Sequence, residues 1–468
     1  MTARTAGSAK AALADAAPVP FWTDRPDRPE AREPLRGTTQ ADLLIVGGGF
    51  TGLWAAIEAS DRGVGDVAVV EAEEVGFGAS GRNGGFLSES LTHGLAHGEA
   101  LWGRELRELT RLGRQNVSEI LEFCRAERID AKATMCGKST VATRPHHLAQ
   151  LQVARDLHLR HGEQAELLDG DQMRADVDSP TYLGGLKLTT GSGLLDPALL
   201  CWGLKSAALR RGVRIYEHTS VHAMRRSHAG IQVTTSHGSV HARKVLLATN
   251  AYPPLLRRLR HRILPIFDHV LVTEQLSERQ RASVGWRDGQ GLTDIGNQFH
   301  YYRRTPDDRI LWGGYDAIYY FGNRTDAWRE QRDASHALLA QQFTETFPQL
   351  EGVQFTHRWA GLIDSTSRFT PVFGTAMSGR LAYSVGFTGL GVAASRFGSG
   401  TALDLLEGRD TERTRLQMVR RKPIPFPPEP LRYPTVQFTR RSLAREDATG
   451  QRGLYLRTLD RFGIGFNS

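Results

Sequence analysis

Asp42-Leu43-Leu44-Ile45-Val46-Gly47-Gly48-Gly49-Phe50-Thr51-Gly52, followed by an apolar run Val67-Ala68-Val69-Val70 that ends on Glu71, decides the fold of this chain. The order is strand, glycine turn, helix, second strand and acid. Gly47 lets the chain turn sharply off the strand, Gly49 lets the backbone approach a pyrophosphate, and Gly52 lets the helix pack close on the sheet. The helix, opened by Phe50 and Thr51 and running to about Arg62, offers free N–H groups and a positive dipole end to phosphates. Glu71 lies 19 residues past Gly52, close to the spacing of about 20 expected of an acid that accepts ribose hydroxyls. A bare G-x-G-x-x-G also marks many ordinary turns. The strand, helix and acid around this one make it a dinucleotide site.

Downstream, Gly76-Phe77-Gly78-Ala79-Ser80-Gly81-Arg82-Asn83-Gly84-Gly85 is dense in glycine, which permits close backbone approach to a flat ligand. Ser80, Arg82 and Asn83 are interleaved with no proline or acidic run, unlike a merely flexible surface loop. Further landmarks are Gly193-Leu194-Leu195-Asp196-Pro197, Ala248-Thr249-Asn250-Ala251-Tyr252 and Gly386-Phe387-Thr388-Gly389-Leu390-Gly391-Val392. With these segments the chain resembles, from about Phe21 to Gly408, the D-amino-acid oxidase superfamily of FAD-dependent amine and amino-acid oxidoreductases. It looks most like the bacterial γ-glutamylputrescine-oxidoreductase branch, whose members carry a Gly-Ala-Ser-Gly-Arg-Asn-Gly-Gly segment over the flavin. The resemblance implies an α/β fold: a Rossmann-like FAD-binding domain interleaved with an α+β substrate domain built on an antiparallel sheet. It implies FAD contacts at Ala79, Ser80, Arg82, Asn83, Gly84, Gly85, Thr249 and Gly361, with the backbone near Val221 against the adenine. In the family, the turn carrying Gly386, Thr388, Gly389, Leu390, Gly391 and Val392 sets a helix N-terminus under the pyrimidine edge of the isoalloxazine. Oriented N–H groups there stabilise negative charge.

With 468 residues the chain can hold two or three domains. Hydrophobic content of 40% and charged content of 24% are those of a soluble globular protein. No run of about 18 apolar residues exists, so no membrane span is expected. The segment Met1–Pro18 has too little apolar weight for a signal peptide and reads as a disordered tail. Cys124, Cys136 and Cys201 show no metal spacing and suit a reducing cytoplasm as free thiols. The net charge of +8 is spread along the chain and does not argue for nucleic acid. The dense clusters Arg257–Arg262 and Arg420–Lys422 read as solvated helix faces or ion-pair partners. The alternative is a basic mouth that draws an anionic substrate.

The patterning divides the chain into a tail (1–37) and an FAD-binding domain in three pieces (38–92, 185–262, 357–408). A substrate domain in two pieces (93–184, 263–356) and a Pro-rich strap with a basic tail (409–468) complete it. Glu99–Arg128 has the spacing of amphipathic helix. Val270–Thr273, Phe299–Arg303 and Ile310–Gly313 alternate as half-buried antiparallel strands do. Lys422–Pro430 holds five prolines in nine residues, an extended strap that could wrap the body or reach another subunit. A homo-oligomer is left open.

Some relatives attach FAD covalently, through a histidine where this sequence has Asn83 or a cysteine about where it has Gly361. The resemblance therefore implies non-covalent FAD. Amino-acid oxidases of the superfamily hold the substrate carboxylate with an arginine at a position that is Ile363 here. Asp364 follows it and would attract a cationic amine, unless it pairs with Arg358 or Arg368; Arg368 could supply a carboxylate clamp from a different position. Tyr302 and Trp312 are further substrate candidates on an aromatic-rich wall, of which half should face the flavin. Trp312 falls roughly where the sarcosine-oxidase group has a lysine that serves oxygen, which leaves the acceptor open between O2 and another carrier.

The expected chemistry is removal of two electrons from the C–N bond of an amine by hydride transfer to flavin N5, giving an imine that hydrolyses. No catalytic residue is singled out, because alignment of an unprotonated amine suffices, and no metal site is expected. The rivals are an amino-acid oxidase, a quinone- or carrier-linked dehydrogenase of the same fold, and a non-enzymatic FAD-binding assembly factor.

Overall fold

The computed structural model describes residues 10–465. The strand Gly37–Val46 and the strand Val67–Val70 pair in parallel at the centre of an eight-stranded sheet. Its order runs Val372–Ala376, Leu381–Val385, Gly238–Leu247, Gly37–Val46, Val67–Val70, Arg214–Tyr216, with two further strands leaving antiparallel from Gly238–Leu247. Alternation explains why both faces are apolar. Leu43 and Ile45 enter one core with the helices Phe50–Asp61, Pro197–Arg210 and Gly391–Glu407, whereas Leu44 and Val46 enter another. The helix Phe50–Asp61 lies so close to the strand end that a Cβ on Gly52 would stand 1.9 Å from the Gly47 carbonyl oxygen. Only glycine permits that approach.

A second eight-stranded sheet runs Phe355–Ser365, Leu264–Thr273, Ile310–Gly314, His300–Arg304, Gly291–Asp294, Lys138–Ala142, Gly184–Leu188, Glu166–Asp169. It is antiparallel except where Gly291–Asp294 pairs with Lys138–Ala142. Gly184–Leu188 and the first part of 357–408 thus hydrogen-bond in this sheet, so the expected boundaries at 185 and 357 shift. The helix Asp333–Thr346 covers one face over a core that includes Trp286, Tyr302, Trp312 and Phe347. The other face turns toward the first sheet.

Both ends of the described stretch are part of this body. Residues 1–9 of the expected disordered tail lie outside the described residues. From residue 10 onward the tail is ordered: Ala17 bridges to the strand Phe355–Ser365, and Trp22 is only 1% exposed. At the other end the Pro-rich strap wraps the body, with the Phe426 N–H donating to the His261 carbonyl at 2.6 Å and Ser367 Oγ to the Ile424 carbonyl at 2.7 Å. Helices Arg432–Thr449 and Leu454–Arg461 follow. Asp447 pins the first of them by accepting the N–H groups of Asn297 and Gln298, each at 2.8 Å. All three cysteines are free, and no helix of the described residues is long and apolar enough to cross a membrane.

Candidate functional site

A cavity of about 1300 Å³ opens between the two sheets. At one end its wall is the glycine turn, with Gly47, Gly49, Phe50, Thr51 and Glu71. The helix Phe50–Asp61 begins there with no side-chain cap and no acid in its first turn. The helix Gly391–Glu407 also begins on the cavity, at Gly391 and Val392, again uncapped and without a first-turn acid. Uncapped helix starts leave backbone N–H groups that need acceptors, so two independent helix ends ask for anionic or carbonyl groups inside one cavity.

Glu71 is half-buried on the cavity wall and accepts the Gly48 N–H at 2.6 Å and the Glu73 N–H at 3.1 Å. Burial raises its pKa, and those backbone donors oppose the rise. Between the helix ends runs the Gly76–Gly85 loop, held in shape by its own side chains. Ser80 Oγ accepts the Phe50 N–H at 2.9 Å. The Asn83 amide donates to the carbonyls of Ala79 and Ser80, both at 3.0 Å, and accepts from the Gly85 N–H at 2.8 Å. Arg82 pairs with Glu330 and donates to the Phe77 carbonyl at 2.6 Å. Two indoles clamp the loop from outside: Trp22 donates to the Asn83 carbonyl and Trp359 to the Arg82 carbonyl, each at 2.9 Å. Ala79, Gly84, Val221, Thr249, Gly361, Thr388, Gly389 and Leu390 complete this part of the wall. Gly52, Gly85 and Gly386 do not line the cavity. They serve close packing, since a Cβ on Gly85 would stand 2.2 Å from the Leu195 carbonyl oxygen and one on Gly386 would stand 2.4 Å from the Thr366 methyl.

The substrate candidates are redistributed. Tyr302 and Trp312 are fully buried on the far face of the second sheet, in the core beneath Asp333–Thr346. Alternation puts Tyr301 on the cavity instead. Trp312 therefore says nothing about oxygen. Asp364 does reach the cavity wall, but its carboxylate accepts the N–H groups of Gly386 and Thr388 and pairs with neither arginine. It fixes the turn before Gly391–Glu407, and burial lifts its pKa to about 6. Arg358 pairs with Asp333 at 2.8 Å. Arg368 lies off the cavity wall, its guanidinium 5.9 Å from the Trp102 ring centroid.

Three features escaped sequence reasoning. Asp268 stands on the cavity face of Leu264–Thr273, in register with Gly361. It accepts the Tyr301 hydroxyl at 2.5 Å and forms no ion pair among the described residues. Burial, first among its influences, raises its pKa to about 6. The strand pattern carried a signal: Leu264, Ile266, Asp268 and Val270 share one face, and a carboxylate interrupts an otherwise apolar row. The second feature is Lys138, also on the wall. The third is the C-terminal segment, whose Phe426, Thr439, Arg440, Leu443 and Tyr455 close the cavity.

A model of the family "DAO: FAD dependent oxidoreductase" matches residues 42–403. Gamma-glutamylputrescine oxidoreductase of Escherichia coli K12 is 32% identical over 386 residues, covering 81% of this chain and 86% of its own. The probable oxidoreductase OrdL of Haemophilus influenzae is 31% identical over 389 residues, covering 81% and 85%. Among solved structures, glycine oxidase from Geobacillus kaustophilus superposes with a TM-score of 0.66 at 20% identity, covering 80% of this chain and 96% of its own. L-proline dehydrogenase from P. horikoshii gives 0.65 at 18%, covering 82% and 96%. At those identities the two structures speak for a shared fold. The cavity fits FAD on its own terms: two uncapped helix ends, a half-buried acid at the glycine turn, and a side-chain-free wall at Gly84 and Gly361. The C-terminal wall lies beyond the stretch that the family model matches.

Proposed function

We propose that this chain, which belongs to the DAO family of FAD-dependent oxidoreductases, oxidises the C–N bond of an amine, with Asp268 as the group that receives the substrate ammonium. Bound FAD supplies the two-electron acceptor for the α C–H of the amine. Residues of the glycine turn, Glu71, the Gly76–Gly85 loop and the turn 386–392 would hold it, without a covalent link because Asn83 and Gly361 offer no nucleophile. The observation that carries the reading is the Asp268–Tyr301 pair beside Gly361, an acid on the cavity face with no cation of its own. A carboxylate there attracts an ammonium group. With its pKa lifted to about 6 it also accepts the proton that the amine must lose before oxidation. Tyr301 keeps the carboxylate aimed. The strap and the C-terminal helices keep water from the site.

The relative from E. coli is named for γ-glutamylputrescine, an acylated diamine, and that name supports an amine with a second polar end. A simple α-amino acid is the weaker reading, since Ile363 replaces the carboxylate arginine and Arg368 stands off the wall. Turnover of a primary amine should yield aldehyde, trapped with a hydrazine, in step with flavin reduction. Oxo acid from amino acids with no aldehyde from amines would sink the amine reading. The purified yellow protein should release intact FAD on acid precipitation, and flavin retained in the pellet would contradict a non-covalent site.

Asp268 also makes a stability prediction. A carboxyl whose folded pKa is raised favours folding fully below its unfolded value of about 4. It loses that contribution as pH rises through the folded value of about 6. Asp268→Asn, which mimics the protonated form, should therefore raise the melting temperature of the apoprotein at pH 7.5 more than at pH 5. Equal shifts at both pH values would show that Asp268 is not held above its ordinary range.

A further inference from the structure

The basic clusters Arg257–Arg262 and Arg420–Lys422 lie far apart in sequence, and the fold brings them to one surface cavity of about 460 Å³. Arg258, His261, Arg262 and Lys422 line it around the ring of Tyr383. Among the described residues none of the three cations Arg258, Arg262 and Lys422 has an ion-pair partner. Each donates to one backbone carbonyl instead: Arg258 to Thr375, Lys422 to Phe373, and Arg262 to Pro423 at 2.5 Å. Phe373 and Thr375 belong to Val372–Ala376, the edge strand of the first sheet, whose outer carbonyls need donors. That explains why cations gather here. It does not neutralise them, because a carbonyl carries no net charge.

The positive charge is concentrated. The Arg258 guanidinium and the Lys422 ammonium face the same ring, 5.1 Å and 6.0 Å from the Tyr383 centroid. Partial burial lowers the pKa of Lys422, and Arg258 and Arg262 lower it further, with no acid opposing them. His261 adds a donor. Its Nδ1 takes a hydrogen bond from the Arg432 guanidinium at 2.7 Å, so the proton of the neutral ring sits on Nε2. A cleft lined by one sign of charge focuses its field and concentrates counter-ions. The free N–H groups of two guanidinium forks suit the oxygens of a phosphoryl group. Its charge of about −1.5 to −2 at pH 7 matches three cations better than a carboxylate does.

The cavity also joins two parts of the chain. Arg258 and Arg262 belong to the body, whereas Lys422 opens the Pro-rich strap. Pro425 and Phe426 of the strap line both this cavity and the larger one. We propose that Arg258, His261, Arg262 and Lys422 form a phosphoryl-binding site, and that an anion held there ties the strap to the body beside the wall of the larger cavity. The site is independent of which amine or amino acid is oxidised.

The test uses FAD-loaded full-length protein, so that the helix ends of the larger cavity are already occupied. Inorganic phosphate and glycerol 3-phosphate are titrated by calorimetry, each against sodium chloride of equal ionic strength. Both should bind wild type, and Lys422→Met and Arg258→Met should each weaken binding by about 10- to 100-fold. Lys422→Arg keeps the charge and should retain binding. If one Met variant melts early in chloride, the other carries the comparison, because the two side chains engage different carbonyls. Bound phosphate should slow hydrogen exchange at the Phe426 amide in wild type, and an unchanged rate would overturn the tie to the strap. Phosphatidylcholine vesicles with and without phosphatidic acid separate the sources of the phosphoryl group. Pelleting with phosphatidic acid that Lys422→Met abolishes would assign a lipid headgroup, and binding of the soluble phosphates without pelleting would assign a soluble ester; either result sustains the site. Binding no better than in chloride from every probe, or equal binding by wild type and both Met variants, would overturn it.

Discussion

Asp268→Asn should lower kcat/KM for a primary amine by about 100-fold or more, the usual scale for removing a group that accepts a proton in or before the chemical step. The substitution keeps the volume and leaves a partner for the Tyr301 hydroxyl, so the fold has little reason to change. What it removes is the charge that draws the ammonium and the site that takes its proton. In wild type the pH profile should show a limb near 6, where Asp268 ionises, as well as a limb at higher pH from the amine itself. The variant should lose the first and keep the second. Tyr301→Phe offers a graded control: the hydroxyl favours the ionised carboxylate, so its loss should move the lower limb to higher pH. An Asn variant with unchanged kcat/KM and an unchanged profile would exclude Asp268 from the reaction.

Glu71→Ala should weaken FAD binding by about 10- to 100-fold, the equivalent of losing charge-assisted hydrogen bonds worth roughly 1.5–3 kcal/mol. The carboxylate lines the cavity at the glycine turn and already anchors Gly48, so part of the loss should appear as loosening of the turn. Glu71→Gln keeps hydrogen-bonding capacity without the charge and should fall between wild type and Ala. Titration of apoprotein with FAD, followed by flavin fluorescence, measures the series. Equal affinity for wild type and Ala would show that Glu71 does not contact the cofactor.

The nucleotide-binding part was legible because its reasons are local. The turn after Val46, the close approach at Gly52 and the acid after Val70 are properties of consecutive residues, and the sheet builds on them without revision. The substrate side was less legible because the phase of a strand is a long-range property. Alternation in His300–Arg304 says that Tyr301 and Tyr302 face opposite ways. Which one meets the cavity depends on where the helix Asp333–Thr346 packs, a helix that begins well beyond the strand in sequence. The same packing turned Trp312 inward. Asp364 was expected to attract a cationic amine or to pair with an arginine, but its oxygens are taken by the backbone N–H groups of Gly386 and Thr388. The free acid is Asp268, on the neighbouring strand. The strap and the helix Arg432–Thr449 carry few apolar residues, and although half of Leu454–Arg461 is apolar, nothing local says that these segments fold back over a cavity built from the middle of the chain.

The central claim is that an amine, and not a simple α-amino acid, delivers electrons to the flavin at this site. Anaerobic mixing of the holoprotein with a panel of diamines, acylated diamines, glycine, alanine and sarcosine, read as loss of flavin absorbance in a stopped-flow instrument, tests it most directly. Fastest bleaching is expected from the acylated diamines, slower bleaching from plain diamines, and the slowest from the amino acids. Rapid bleaching by glycine, alanine or sarcosine with none by the amines would contradict the account.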